Sequence, residues 1–203
     1  MNSSEYWLAA LPDPWTICGL RLRPFSLGHV ILLHRFENGF VIPDREPTNL
    51  DLLIGLLICS RDYEQGITLM NDPSLLKATA RWQFRLEWSH WWKFLCRSIS
   101  RFDWAQKSKD FAEYLRLGST HPHYLYTPNT GDPVDLPLAQ MLKVWLMTKT
   151  HLTESEILNR PYGLCLWDWL TILANEGRIR IMDRERFQFS MNEEVNSNGT
   201  STN

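Results

Sequence analysis

Apolar and polar positions change rhythm several times along this chain, and each change marks an element. Residues 15–23 alternate, with Cys18, Leu20 and Leu22 on one face and Arg21 and Arg23 on the other, the two-residue period of a strand. Pro24 stops that pairing, because it has no amide hydrogen to give a ladder. Ser26 then offers a hydroxyl to the freed amides of a first turn, so a helix is predicted from Ser26 to Phe36, closed by Asn38-Gly39. Residues 40–47, with Pro43 and Pro47, read as a linker. Asn49 is the expected cap of a helix over residues 50–60, which carries so few polar positions that it must be buried nearly all round.

Asp72-Pro73-Ser74 reads as a cap with proline in the first turn, opening a long helix to Phe102. Along it Leu76, Ala80, Phe84, Trp88, Trp91, Leu95, Ile99 and Phe102 recur at steps of four and three, which holds them on one stripe. A second amphipathic helix follows over residues 104–117 and ends at Gly118. Residues 118–134 hold three prolines and two glycines and read as a long loop, of the kind that carries function. Helical periodicity returns over residues 136–149. Thr153 and Glu156 then form a capping box, with Leu152 and Ile157 as its hydrophobic staple. Pro161 opens a last helix to Glu176, Gly177 ends it, and the alternation on both sides of Asp183 predicts a small hairpin. Residues 1–14 read as an irregular leader and the polar residues 192–203 as a disordered tail. The expected fold is therefore mainly α with a minor β component: one helical domain over residues 15–191, with a short N-terminal strand and a C-terminal β-hairpin.

Composition narrows the functional classes. Hydrophobic residues make up 44% and charged residues 22% of the 203, ordinary globular usage, and a net charge of -2 gives no global pull toward nucleic acid or an anionic membrane. The longest apolar run, residues 50–59, is half the length of about 20 that a membrane helix needs, and it contains Asp51. No basic region followed by an apolar segment opens the sequence, so a soluble protein of the cytoplasm is expected. Cys18, Cys59, Cys96 and Cys165 are far apart and set among apolar neighbours, which points to buried free thiols. Ten tryptophans are far more than a core of this size requires, and large rings also anchor partners.

Candidate chemistry is sparse. His121 and His123, with Asp132 and Asp135 further along, are metal-ligand types, but a proline-rich loop offers them no scaffold. There is no GxSxG, phosphate loop or HExxH, and no cofactor signature, so no enzyme is expected. Lys77, Arg81, Arg85, Lys93, Arg97 and Arg101 share a four-residue spacing broken only by Ser89, and residues 77–117 hold nine Lys/Arg against four Asp/Glu, a local charge of +5. Cations interleaved with rings suit nucleic acid. Yet each step of four advances about 400°, so the row winds round the helix axis. The order of elements after residue 136 matches a winged helix, but its third helix, residues 161–176, has no Lys or Arg to meet phosphates. It suits packing on protein better.

The run CGLRLRPFSLGHVILLHR, residues 18–35, resembles the N-terminal signature of the tail assembly chaperones of long-tailed phages. LPLAQMLKVWLM, LTESEILNRP and LWDWLTILANEG, between residues 136 and 177, are similar to the closing helices of such small virion-morphogenesis proteins; the Trp-rich central helix lies outside the likeness. The resemblance implies a non-enzymatic, largely helical protein of the bacterial host cytoplasm that coats the apolar tape measure protein before the tail tube forms. The residue pattern agrees, since helices too apolar to stand alone are suited to holding apolar helical segments. Trp88, Trp91, Trp92, Trp167 and Trp169 are the candidate partner-binding residues; for the last four, rings at adjacent or alternate helix positions cannot all face one core. A winged-helix-like nucleic-acid-binding regulator is the alternative.

Overall fold

A computed structural model describes residues 6, 14–95, 103–126 and 137–182. It is mainly helical with a minor β component, as the patterning predicts, and its strands form two small antiparallel pairs. The expected leader, apart from Tyr6 and Pro14, and the helix beyond residue 95 lie outside the described residues, as do Asp132, Asp135, residues 183–191 of the expected hairpin and the tail.

The first alternating segment is not one strand. β1 (Thr16–Ile17) and β2 (Leu20–Arg21) pair with each other, Thr16 opposite Arg21 and Ile17 opposite Leu20. Cys18 at φ 50° and Gly19 at φ 78° make the turn, the two positive φ values that let a two-residue loop match the twist of its strands. The Arg23 N–H donates to the Cys59 carbonyl at 2.9 Å, tying the hairpin to the end of the second helix.

α1 (Leu27–Arg35) begins as expected at Ser26, whose hydroxyl oxygen accepts from the His29 N–H at 3.3 Å while His29 Nδ1 accepts from the Ser26 N–H at 3.1 Å. The Leu27 N–H also reaches the Arg160 carbonyl and the Tyr162 N–H the Phe25 carbonyl, stitching the start of α1 to the last third of the chain. α2 (Asn49–Cys59) is capped one residue earlier than predicted. Thr48, not Asn49, is extended and forms a reciprocal capping box with Asp51. α3 (Tyr63–Met70), capped by Asp62, went unread in the sequence. α4 (Leu75–Leu95) and α5 (Trp104–Gly118) follow. α6 (Leu138–Thr150), α7 (Glu154–Asn159) with its Thr153–Glu156 capping box, and α8 (Tyr162–Asn175) complete the helices. Gly177 at φ 73° and Arg178 return their N–H groups to the Ala174 and Leu173 carbonyls, a Schellman closure of α8.

The long loop contains structure: β3 (His123–Tyr126) pairs antiparallel with β4 (Ile179–Met182), His123 opposite Met182. Two hydrophobic clusters adjoin. One gathers Leu33, Leu52, Leu56, Ile58, Phe111 and Tyr114 from α1, α2 and α5, the other Leu142, Leu146, Ile157, Trp169 and Leu170 from α6, α7 and α8. α1 serves both, giving Leu32 and Leu33 to the first and Leu27 to the second.

Candidate partner-binding surface

Among the described residues α4 has two apolar edges, one docked and one exposed. Leu75, Thr79, Trp82 and Leu86, at steps of four, three and four, are buried or half-buried; Trp82 packs against the first cluster, and α4 contacts α2. Thr79, fully buried, satisfies its hydroxyl on the Leu75 carbonyl at 2.8 Å. The described part of the stripe singled out in the sequence, Leu76 to Trp88, faces the other way. Leu76, Phe84 and Trp88 are 60%, 63% and 55% exposed, and Ala80 between them is exposed too. Phe84 and Trp88 stack on each other with ring centroids 5.9 Å apart and planes 22° from parallel, so the outer edge carries one broad aromatic face.

Cations flank this stripe. Lys77, Arg81 and Arg85 are exposed, each one residue beyond a member of the apolar row and so about 100° further round the helix. Over this span the row drifts by about 80°, and the apolar row drifts with it, so the three cations keep to one flank of the stripe. Gln83 and Glu87, joined by a 3.1 Å hydrogen bond, lie on the other. Trp91, Trp92 and Lys93 sit on α4, but their side chains lie outside the described residues, as do Arg97 and Arg101 altogether.

Trp167 and Trp169 correct an expectation. They are only 4% and 7% exposed. Alternate positions do point in different directions, but both directions are covered. Trp169 enters the second cluster, while Trp167 meets Tyr6 edge-on at 5.5 Å. The same enclosure bears on the winged-helix comparison: within α8 only Thr171 and Asn175 are exposed, so no face is free to enter a groove. Trp169 does form part of a wall, with Tyr124, Met141, Tyr162 and His121, of a surface cavity of about 500 Å³.

The remaining chemistry is structural. His29 is 1% exposed, accepts from the Ser26 N–H at Nδ1, and therefore donates from Nε2 to the Arg61 carbonyl at 2.8 Å. Burial drives its pKa down to about 4, so the ring is neutral at physiological pH. Burial also pushes the Cys18 thiol up to about 11 and those of Cys59 and Cys165 up to about 12, leaving no thiolate nucleophile among them near neutrality. Asp51 works against burial, yet hydrogen bonds from Thr48 and Gly39 and the guanidinium of Arg45 at 3.2 Å hold its carboxyl below the usual range. Among the described residues no group of His, Cys, Asp and Glu is placed to hold a metal ion, and His121 Nδ1 lies 3.0 Å from the Pro122 carbonyl. No described helix is long and apolar enough to cross a membrane.

Sequence spacing alone did not distinguish the outward stripe from the docked one, because both recur with helical spacing. The discriminating signal was the row of cations, which follows the exposed stripe at a constant offset of one residue. Neither a protein-family model, nor a curated protein, nor a solved structure matches the chain.

Proposed function

We propose that this is a non-enzymatic interaction protein of phage tail morphogenesis that holds an apolar helical segment of a partner, the tape measure protein, against the outer edge of α4. The observation that carries the reading is the exposure of Leu76, Phe84 and Trp88 on a helix whose opposite edge is already docked. A stripe needed only for folding would face the core, whereas contiguous exposed apolar surface marks an interaction site. Covering the exposed parts of these three side chains is worth about 4 kcal/mol before the cost of ordering the partner, enough to make them the anchor of a helix-in-groove contact. The likeness of residues 18–35 and 136–177 to tail assembly chaperones supplies the identity of the partner and the setting, the cytoplasm of the bacterial host.

Co-expression with the tape measure protein of the same phage tests this. The expected result is a stable complex and a larger soluble fraction of the tape measure protein, both reduced by Phe84→Ala/Trp88→Ala. No complex and no gain in solubility would refute it.

A second reading, binding of single-stranded nucleic acid, is favoured by exposed Lys77, Arg81 and Arg85 beside exposed rings. It requires affinity for an oligonucleotide that falls steeply with salt. Its winged-helix form draws no support from α8, which lacks both cations and a free face.

A further inference from the structure

We propose that the partner helix of α4 is acidic along one flank, presenting carboxylates to Lys77, Arg81 and Arg85. This rests on α4 as the docking face and adds the chemistry of what docks there.

The three cations are exposed, and among the described residues none of them has a carboxylate within ion-pair distance. Their position does α4 itself no service. The first turn of α4 contains no acidic residue and does contain Lys77, where the positive end of the helix dipole disfavours a cation. Asp72, just upstream, is engaged on the Ser74 N–H at 2.8 Å. A row of unpaired cations beside a broad apolar face therefore gains most from charge brought by another molecule.

A second copy of this chain is a poor candidate. In an antiparallel pair of α4 helices a two-fold axis sets each flank against the same flank of its mate, so Lys77, Arg81 and Arg85 would face one another. In a parallel pair they would meet the opposite flank, which carries one carboxylate, Glu87, already hydrogen-bonded to Gln83. Neither arrangement matches three cations. An amphipathic helix of another protein, with Leu or Ala on its apolar face and Asp or Glu spaced by four along one edge, matches both rows at once. Because the α4 row runs at steps of four, such a helix packs ridge into groove and crosses α4 at about −50° rather than forming a long coiled coil.

The test uses two synthetic amphipathic peptides with the same Leu/Ala face, one with a Glu flank and one with a Lys flank, and a poly-dT oligonucleotide, titrated against the full chain at low ionic strength. The expected result is about tenfold tighter binding of the Glu peptide, the summed effect of a few surface charge pairs. The preference should reverse in Lys77→Glu/Arg81→Glu/Arg85→Glu, a variant whose exposed side chains and newly acidic first turn leave the helix intact. Equal affinity for the two peptides, lost in Phe84→Ala, would overturn the acidic flank while leaving the docking face standing. Binding of neither peptide would overturn both. Binding of the oligonucleotide alone, abolished by the charge reversal, would overturn both in favour of nucleic acid.

Discussion

Acidification tests the packing of α1 through one side chain, His29. Its ring is the one link that satisfies both the Ser26 N–H at the start of α1 and the Arg61 carbonyl at the turn after α2, and it can do so only in the neutral tautomer with hydrogen on Nε2. Protonation would place a second donor against the Ser26 N–H inside a site that is 1% exposed. The pKa accordingly falls from the ordinary 6.5 to about 4, with burial as its chief cause. Between these two values the unfolded chain binds a proton that the folded protein excludes. Stability is therefore complete above pH 6.5 and declines as the pH falls toward 4, at up to about 1.4 kcal/mol per pH unit. From pH 7 to pH 5 the expected loss is about 2 kcal/mol. Urea unfolding at the two pH values measures it, and the ring resonances of His29 should remain those of a neutral imidazole at pH 5. In His29→Gln, less stable throughout, most of this pH dependence should vanish. A His29→Gln variant that loses stability between pH 7 and pH 5 as steeply as the wild type would refute the assignment.

Gly55→Ala should destabilise the fold although alanine favours helix by about 1 kcal/mol. A Cβ at this position would lie 2.7 Å from two ring atoms of Phe111, a ring fully buried and held by Phe40 and Tyr114 at centroid distances of 5.0 and 5.8 Å. The expected net loss is about 1 kcal/mol in chemical denaturation, and a gain would show that α2 and α5 do not pack this closely. Asn38→Ala should cost about 2 kcal/mol, because Asn38, 1% exposed, donates to the Asp51 carbonyl at 2.7 Å and accepts from the Phe40 N–H at 3.1 Å. Faster hydrogen exchange at the Phe40 amide should accompany the loss; unchanged exchange and unchanged stability would count against the bond.

Local chemistry was the most legible part of the sequence. Ser26, the Thr153–Glu156 box and the Gly177 closure each depend on residues within one or two turns, and each is where the spacing placed it. Thr48 displaced Asn49 by one position because the reciprocal bond with Asp51 needs the cap exactly three residues before the carboxylate. The harder features depend on distant parts of the chain. β3 lies inside a proline-rich segment and finds its partner, β4, beyond three helices. The N-terminal alternation concealed a turn because Cys18 adopts a positive φ that is uncommon for a residue with a side chain. On α4, the docked and outward edges differ in sequence only by a shift of one or two residues and the cations that follow the outer one. Of the candidate rings Trp88 is exposed, while Trp167 and Trp169 were misread because helical geometry tells where a ring points and not what lies there.

The measurement that bears most directly on α4 as the docking face is site-specific photo-crosslinking in cells that contain the tape measure protein. A photoreactive residue would replace Phe84 on the outer edge or Thr171, an exposed position on α8. The account predicts an adduct with the tape measure protein from position 84 and none from position 171. An adduct from position 171 with none from position 84 would contradict it.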